Sequence, residues 1–280
     1  MAVMTEAPDR SHPRKLPPIA LTIAGSDSGG GAGIQADLKT FHQFRVYGTS
    51  VVVAVTAQNT VGVRGISTIP EDIVAAQLAA LAEDLPPAAL KTGMLATPSL
   101  VHLVADAIQN YSWRCFTLDP VMVASSGDRL LTSEAESTMR ERLLPLAALI
   151  TPNLDEAEIL TGMEVRDSEA MKRAGQRLLE MGARAVLMKG GHLASADAID
   201  LLVVPGTTRR FTHPRIQTTS THGTGCTLSA AVTAGLALGQ SLERAVIDAL
   251  DFVHRAIEES FRIGAGHGPL NHWVAVNEKM

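Results

Sequence analysis

The chain has 280 residues, is 46% hydrophobic and 19% charged, and carries few aromatics (4%) and a net charge of −5. That is enough apolar material for one large α/β domain packed mainly by small aliphatics, while the acidic balance and the lack of a long basic run argue against a nucleic-acid surface. No stretch is apolar for long enough to span a bilayer, and the two cysteines, Cys115 and Cys226, give neither a disulfide framework nor a metal-ligand spacing, so a reduced, cytoplasmic setting is expected.

Residues 1–18 are polar and proline-rich with no apolar core, which predicts a disordered tail rather than a signal peptide. Ile19 to Ala24 is a short apolar run that reads as a strand. It feeds a loop from Gly25 to Gly33 that holds five glycines, and Ile34, Leu38 and Phe41 then recur at helical spacing. Strand, glycine loop and helix form the ligand-binding turn of a parallel sheet. The glycines do not fall as G-x-G-x-x-G, Val53 stands where a dinucleotide site needs an acid, and no Lys-Ser/Thr closes the loop as in a P-loop. A nicotinamide-dependent oxidoreductase is thereby excluded, and the loop indicates close backbone approach to some ligand.

Ser50 to Thr56 predicts a buried strand, ending near Gln58, whose amide either pairs with a heterocycle edge or is satisfied within a turn. Glu71 to Asp84 predicts a helix, Leu90 to Leu95 a short strand and turn, and Leu100 to Ile108 another helix. Arg114 to Leu118 is a strand delivering Asp119 at its C-terminal end, followed by a loop from Val121 to Asp128. Ser133 is expected to cap a helix reaching Leu144. Leu146 to Ile150 leads to Asn153 and Glu156, which are spaced as a capping box and, alternatively, as oxygen ligands for hydrated magnesium. After a helix through Met171 and Leu178, the strand Ala185 to Met188 delivers Lys189, with Gly190, Gly191 and His192 behind it. A lysine there suits a phosphate or is a solvated turn residue. Ile199 to Val204 and Arg210 to Thr212 predict a hairpin at a sheet edge.

Thr221-His222-Gly223-Thr224-Gly225-Cys226-Thr227 then runs into a small-residue helix expected from Leu228 to Leu238. The loop reads as an anion site, built from unpaired helix amides and the helix dipole, or as a helix start capped by Thr224 with Cys226 as a small hydrophobe. Residues 242–257 carry the cleanest amphipathic pattern in the chain. Strands alternate with helices throughout, which predicts one doubly wound, mostly parallel sheet with helices on both faces. Ligands collect beyond the strand C-termini of such sheets. Gly25, Gln58, Asp119, Asn153, Lys189 and Gly223 to Cys226 all fall there, and an anion loop, a lysine and magnesium-type ligands on one rim are the parts of a phosphoryl-transfer site.

Six segments, residues 20–30, 55–60, 118–122, 150–153, 186–192 and 221–227, occur in an order that resembles the hydroxymethylpyrimidine/phosphomethylpyrimidine kinases of thiamine biosynthesis, within the ribokinase-like superfamily. The resemblance covers residues 19–272 and leaves 273–280 as a tail. It implies a single-domain, cytoplasmic, homodimeric kinase that uses ATP and Mg2+ to phosphorylate a small molecule, 4-amino-5-hydroxymethyl-2-methylpyrimidine, and then its monophosphate, with no nucleic-acid or membrane partner. Carried over by position, Gln58, Gly25, Asp27, Ala32 and Val121 bind the pyrimidine. Lys189, Asn153 and Thr224 bind ATP, and Asp119, Asn153 and Glu156 organise magnesium. Gly223, Thr224 and Gly225 hold the transferring group with Lys189, beside Cys226. Ribokinase-like sugar kinases carry an aspartate base where this chain has Cys226, whose thiol is expected near pKa 8.5 or lower at a helix N-terminus, shaping the pocket and assisting proton removal weakly. The alternatives are a pyridoxal/pyridoxine kinase of the same superfamily and a catalytically silent pyrimidine-binding protein.

Overall fold

The computed structural model describes residues 16–122, 131–191 and 197–276; the loop expected through Asp128, His192 and the outer parts of both expected tails lie outside these ranges. Nine strands form one sheet in the order β3-β2-β1-β4-β5-β6-β7-β8-β9. The strands are β1 Ile19–Asp27, β2 Tyr47–Gln58, β3 Val63–Thr68, β4 Ala89–Thr92, β5 Phe116–Leu118, β6 Leu149–Ile150, β7 Val186–Lys189, β8 Asp197–Val204 and β9 Thr207–Pro214. From β2 to β7 all neighbours are parallel; β3, β8 and β9 pair antiparallel at the two edges. The expected doubly wound sheet and its β8–β9 edge hairpin are therefore present. β3 was not anticipated: Val63–Thr68 is mostly exposed and has no buried apolar face to leave a pattern in the sequence.

Side-chain alternation along each strand splits the core between two faces. Leu21, Ile23, Leu90, Phe116, Leu118, Ile150, Val186 and Met188 face helices α2 (Glu71–Asp84), α3 (Pro98–Asn110), α4 (Ser133–Arg142), α5 (Leu154–Thr161) and α6 (Ser168–Glu180). Ala20, Ala89, Leu149, Ala185 and Leu187 face α1 (Gly33–Gln43), α7 (Thr224–Ala237) and α8 (Leu242–Glu258). The cap of α4 is Thr132, whose hydroxyl accepts from the amide of Ala135, rather than Ser133, so the helix begins one residue earlier than a Ser133 cap would place it.

Helix α7 is apolar nearly all round and is buried from Thr227 through Gly235. A helix of that composition has to be covered on every side, here by the sheet, α1 and the amphipathic α8. Its N-terminus is thereby fixed over the C-terminal ends of the parallel strands. Gly235 sets the α7–α8 distance, since a Cβ there would lie 2.8 Å from Ala245 Cβ and 3.1 Å from Ala245 Cα. Gly235→Ala should gain about 1 kcal/mol of helix propensity and lose about 1–3 kcal/mol to overpacking. The expected net is a fall in Tm of a few degrees by calorimetry; a rise would show that α8 yields freely.

Candidate active site

The same strand parity that carries Ala20, Ala89, Leu149 and Leu187 toward α1 and α7 also carries Thr22, Lys91, Asp119, Thr151 and Lys189 there. At the strand ends they form a polar row inside an apolar face. Lys91 and Asp119 are fully buried. Lys91 Nζ lies 3.1 Å from Asp37 Oδ1 of α1 and 3.9 Å from Asp119 Oδ2. The Thr22 hydroxyl donates to Asp37 Oδ2 at 2.6 Å. Lys189 Nζ continues the row, 3.2 Å from Asp119 Oδ1 and 3.6 Å from Glu156 Oε2. Asp119 also accepts from Thr151 on Oδ1 and from Ser229 of α7 on Oδ2.

Carboxylate and ammonium thus alternate from core to rim: Asp37, Lys91, Asp119, Lys189, Glu156. Burial acts against each charge, but Lys189 and Lys91 outweigh it at Asp119 and hold that carboxyl below the usual range. Burial likewise opposes the Lys91 and Lys189 ammonium groups, and their carboxylate neighbours raise both nonetheless. The two ends of the row give way: burial raises the Asp37 carboxyl against the pull of Lys91, and pushes Glu156 up to about 7 against the pull of Lys189.

Helix α7 starts at Thr224, a turn earlier than the expected Leu228, and its cap is Gly223 rather than Thr224. Gly223 has φ +85, and a Cβ there would overlap the carbonyl oxygen of Gly31, so two loops far apart in sequence meet at backbone distance. The Thr224 hydroxyl folds back onto the Thr221 carbonyl. The next amides, of Gly225 and Cys226, have no carbonyl partner within the helix. At Gly225 a Cβ would sit 3.1 Å from Lys189 Nζ, so the absent side chain brings the helix end and the ammonium together.

Cys226 sits in that first turn, half-buried at the cleft wall. Burial pushes its thiol up to about 12, with Lys91 opposing, while the Gly33 amide donates toward the sulfur. The expected lowering at the helix N-terminus is overturned, because desolvation exceeds the opposing pull of Lys91 and of the Gly33 amide.

Asn153 and Glu156 form the predicted capping box: Glu156 Oε2 accepts from the Asn153 amide and Asn153 Oδ1 from the Glu156 amide, both at 2.8 Å. Asp119, expected to organise magnesium, has both oxygens engaged as described. Among the described residues no three His, Cys, Asp or Glu side chains gather as a direct metal cage.

At the other end of the cleft Asp27 organises the glycine loop. Its carboxylate accepts from the amides of Gly29, Gly31 and Ala32 at 2.8, 3.0 and 2.8 Å, and lies 2.9 Å from His222 Nε2. Burial pushes Asp27 up, but His222 and these amides outweigh it and hold the carboxyl low. With its oxygens so occupied, Asp27 holds the glycine loop in shape. The terminal amide of Gln58 lies between Thr56 and His222.

Gly25, Asp27, Ala32, Gln58, Asp119, Val121, Asn153, Glu156, Lys189 and Gly223 to Cys226 all line one cleft of about 780 Å3. Asp37, Lys91, Thr151 and Ser229 were not anticipated. Period-two reading of β4 places Lys91 on the face of Ala89, which is the signal that would have found it.

A family model described as phosphomethylpyrimidine kinase matches residues 27–271. The chain is 48% identical over 256 residues to the hydroxymethylpyrimidine/phosphomethylpyrimidine kinase of Bacillus subtilis, covering 91% of this chain and 94% of that one. Among solved structures it is similar to an ADP complex of Bacillus subtilis pyridoxal kinase, with TM-score 0.87, 40% identity and coverage of 92% and 98%. It is likewise similar to phosphomethylpyrimidine kinase from Clostridium difficile, with TM-score 0.78, 42% identity and coverage of 86% and 99%.

The charge row makes a stability prediction. Lys91→Met leaves Asp37 with no cation and should cost about 3–5 kcal/mol in urea unfolding. Asp37→Asn combined with Lys91→Met removes both charges and should recover most of that loss. A double variant as unstable as the single one would refute pairing as the reason for the buried lysine.

Proposed function

The chain belongs to the phosphomethylpyrimidine kinase family, and on that premise we propose that its cleft transfers the γ-phosphoryl group of ATP to the hydroxyl of 4-amino-5-hydroxymethyl-2-methylpyrimidine, and then to the resulting monophosphate, for thiamine biosynthesis. The observation that carries this reading is the juxtaposition of Lys189 Nζ with the first turn of α7. An ammonium and two helix amides converging on one point stabilise charge spread over a transferring phosphoryl group.

In this reading Gln58, the backbone of Gly25 and Ala32, and Val121 hold the pyrimidine. Asp27 keeps the glycine loop in shape for it. The amides of Gly225 and Cys226 face the phosphoryl group, with Thr224 and Asn153 toward the nucleotide. Asp119 holds the Lys189 ammonium aimed at that group. The rim suits a magnesium ion that keeps its waters. Asn153 and Glu156 each spend one oxygen on a backbone amide and retain further acceptor capacity for ordered water. When bound, the ion neutralises phosphate charge. The proposal includes a homodimer, which sedimentation velocity tests, and a cytoplasmic location; no described helix is long and apolar enough to cross a membrane.

A second reading, pyridoxine phosphorylation, is supported by the likeness to a pyridoxal kinase. A coupled ADP assay with the pyrimidine alcohol, its monophosphate and pyridoxine as separate substrates decides between them. The expected order places the two pyrimidines first, and no ADP release from either pyrimidine would end the reading.

Cys226 has a raised pKa, so its thiol stays protonated and cannot take the acceptor's proton at neutral pH. The pH profile of kcat should therefore show no thiolate limb between pH 7 and 10. Lys189→Met should lower kcat by about 100-fold or more, and Cys226→Ala by much less. A rate that climbs tenfold per pH unit across that range, in wild type only, would make the thiolate the base.

A further inference from the structure

Gln58 sits where two hydrogen-bond demands meet. On one side its Oε1 lies 3.1 Å from Thr56 Oγ1. On the other its Nε2 lies 3.4 Å from His222 Nε2, nitrogen facing nitrogen, so either the imidazole accepts there or the carboxamide turns over. The two ends of a carboxamide have the same shape, so its neighbours decide which end carries the oxygen.

The neighbours leave one answer. His222 Nε2 lies 2.9 Å from Asp27 Oδ2. Asp27 is an ionised acceptor, so this nitrogen carries a hydrogen, and that holds whether or not Nδ1 is also protonated. A nitrogen that donates to Asp27 has no lone pair for the Gln58 amide, so the end facing it is the oxygen. The Thr56 hydroxyl has one proton and two acceptors in reach, the Ser26 carbonyl at 2.9 Å and Gln58 at 3.1 Å; the carbonyl is nearer and cannot turn, so it takes the proton once the carboxamide has turned. Toward Gln58 it can only accept, so the end facing it is the NH2 group.

We propose that His222 and Thr56 are specificity-determining positioning residues that lock the Gln58 carboxamide in one orientation, Oε1 toward His222 and Nε2 toward Thr56. This rests on the reading of Gln58 as the residue that binds the pyrimidine. An aminopyrimidine edge sets a ring-nitrogen acceptor beside an amino donor. A carboxamide in one orientation complements that pair, and turned over it opposes donor to donor and acceptor to acceptor. A pyridine alcohol such as pyridoxine has no such pair and gains little from the lock. Asp27 fixes the proton on His222, and the close approach of His222 Cδ2 to Gly31 keeps the ring in place. The chain of control therefore runs from glycine loop to histidine to glutamine to substrate.

Double-mutant cycles test this, with kcat/KM for the pyrimidine alcohol and for pyridoxine, and KM for ATP, as readouts. His222→Phe and Thr56→Val should each lower kcat/KM for the pyrimidine about tenfold and that for pyridoxine less than about twofold, the scale of one lost or opposed hydrogen bond. KM for ATP should not change. In a Gln58→Ala background neither substitution should have any further effect, because both act through the same amide. Losses that persist in that background, or that strike both alcohols equally, would overturn the lock and make His222 a structural residue. If Gln58→Ala alone leaves KM for the pyrimidine unchanged, the reading of Gln58 has failed and the lock falls with it, while ADP release by the wild type still stands for the kinase. Should His222→Phe not fold, Thr56→Val, nearly the same in volume, carries the cycle alone.

Discussion

The site depends on one fully buried carboxylate. Asp119 has Lys189 on one oxygen and Lys91 near the other, with hydroxyls from Thr151 and Ser229 completing its shell. An ion in that position is tolerated only when every lone pair is engaged. The engagement fixes several elements at once: β4 through Lys91, β6 through Thr151, β7 through Lys189 and α7 through Ser229. The N-terminus of α7 is thus anchored by polar contacts at its first turns and by apolar packing behind them. An amide cradle held so rigidly needs no reorganisation when charge develops in front of it.

A second tie joins the ends of the chain. Asp27, in the loop after β1, meets His222, in the loop before α7, and Gly31 meets Gly223 at backbone distance. These contacts close the glycine-loop side of the cleft onto the start of α7. Each loop is supported by its own hydrogen bonds, so the cleft is formed largely in advance of any ligand. The chemistry and the recognition are separable in this arrangement. Under the proposed function, Lys189 and the α7 amides serve the phosphoryl group whatever the acceptor, whereas Gln58, Thr56 and His222 serve the edge of a ring.

Much of this was legible in the sequence. Strand-terminal residues such as Asp119, Asn153 and Lys189 announce themselves because polar residues that end apolar runs must face the sheet's ligand edge. The capping box of Asn153 and Glu156 could be read from spacing alone. Lys91 and Asp37 could not be picked out so readily. Lys91 lies inside a four-residue strand and Asp37 on the inner face of a helix, where a charge resembles a surface residue until the partner is seen. Their pairing is a contact between positions 54 apart, which no local pattern encodes. The start of α7 was missed for a related reason: Thr224, Gly225 and Cys226 are weak helix formers, and burial of the turns behind them imposes the helix. Strand β3 left no trace because it buries no side-chain face. The thiol of Cys226 was misjudged because a dipole is visible in a sequence motif and desolvation is not.

The alternating row also explains how a buried lysine remains useful. Were both neighbours of Lys189 firmly ionised, its field toward the cleft would be cancelled by two full negative charges. Asp119 keeps its charge because two ammonium groups support it. Glu156 faces the same burial with one ammonium and the repulsion of Asp119, and it titrates near neutrality. The lysine therefore has one firm partner, which holds it in place, and one that yields. An arriving phosphate adds negative charge at the rim and favours the neutral form of Glu156 further. The ammonium is then shared between Asp119 behind it and the phosphate in front, and the same carboxylate that makes the lysine stable in the protein leaves part of its charge for the reaction.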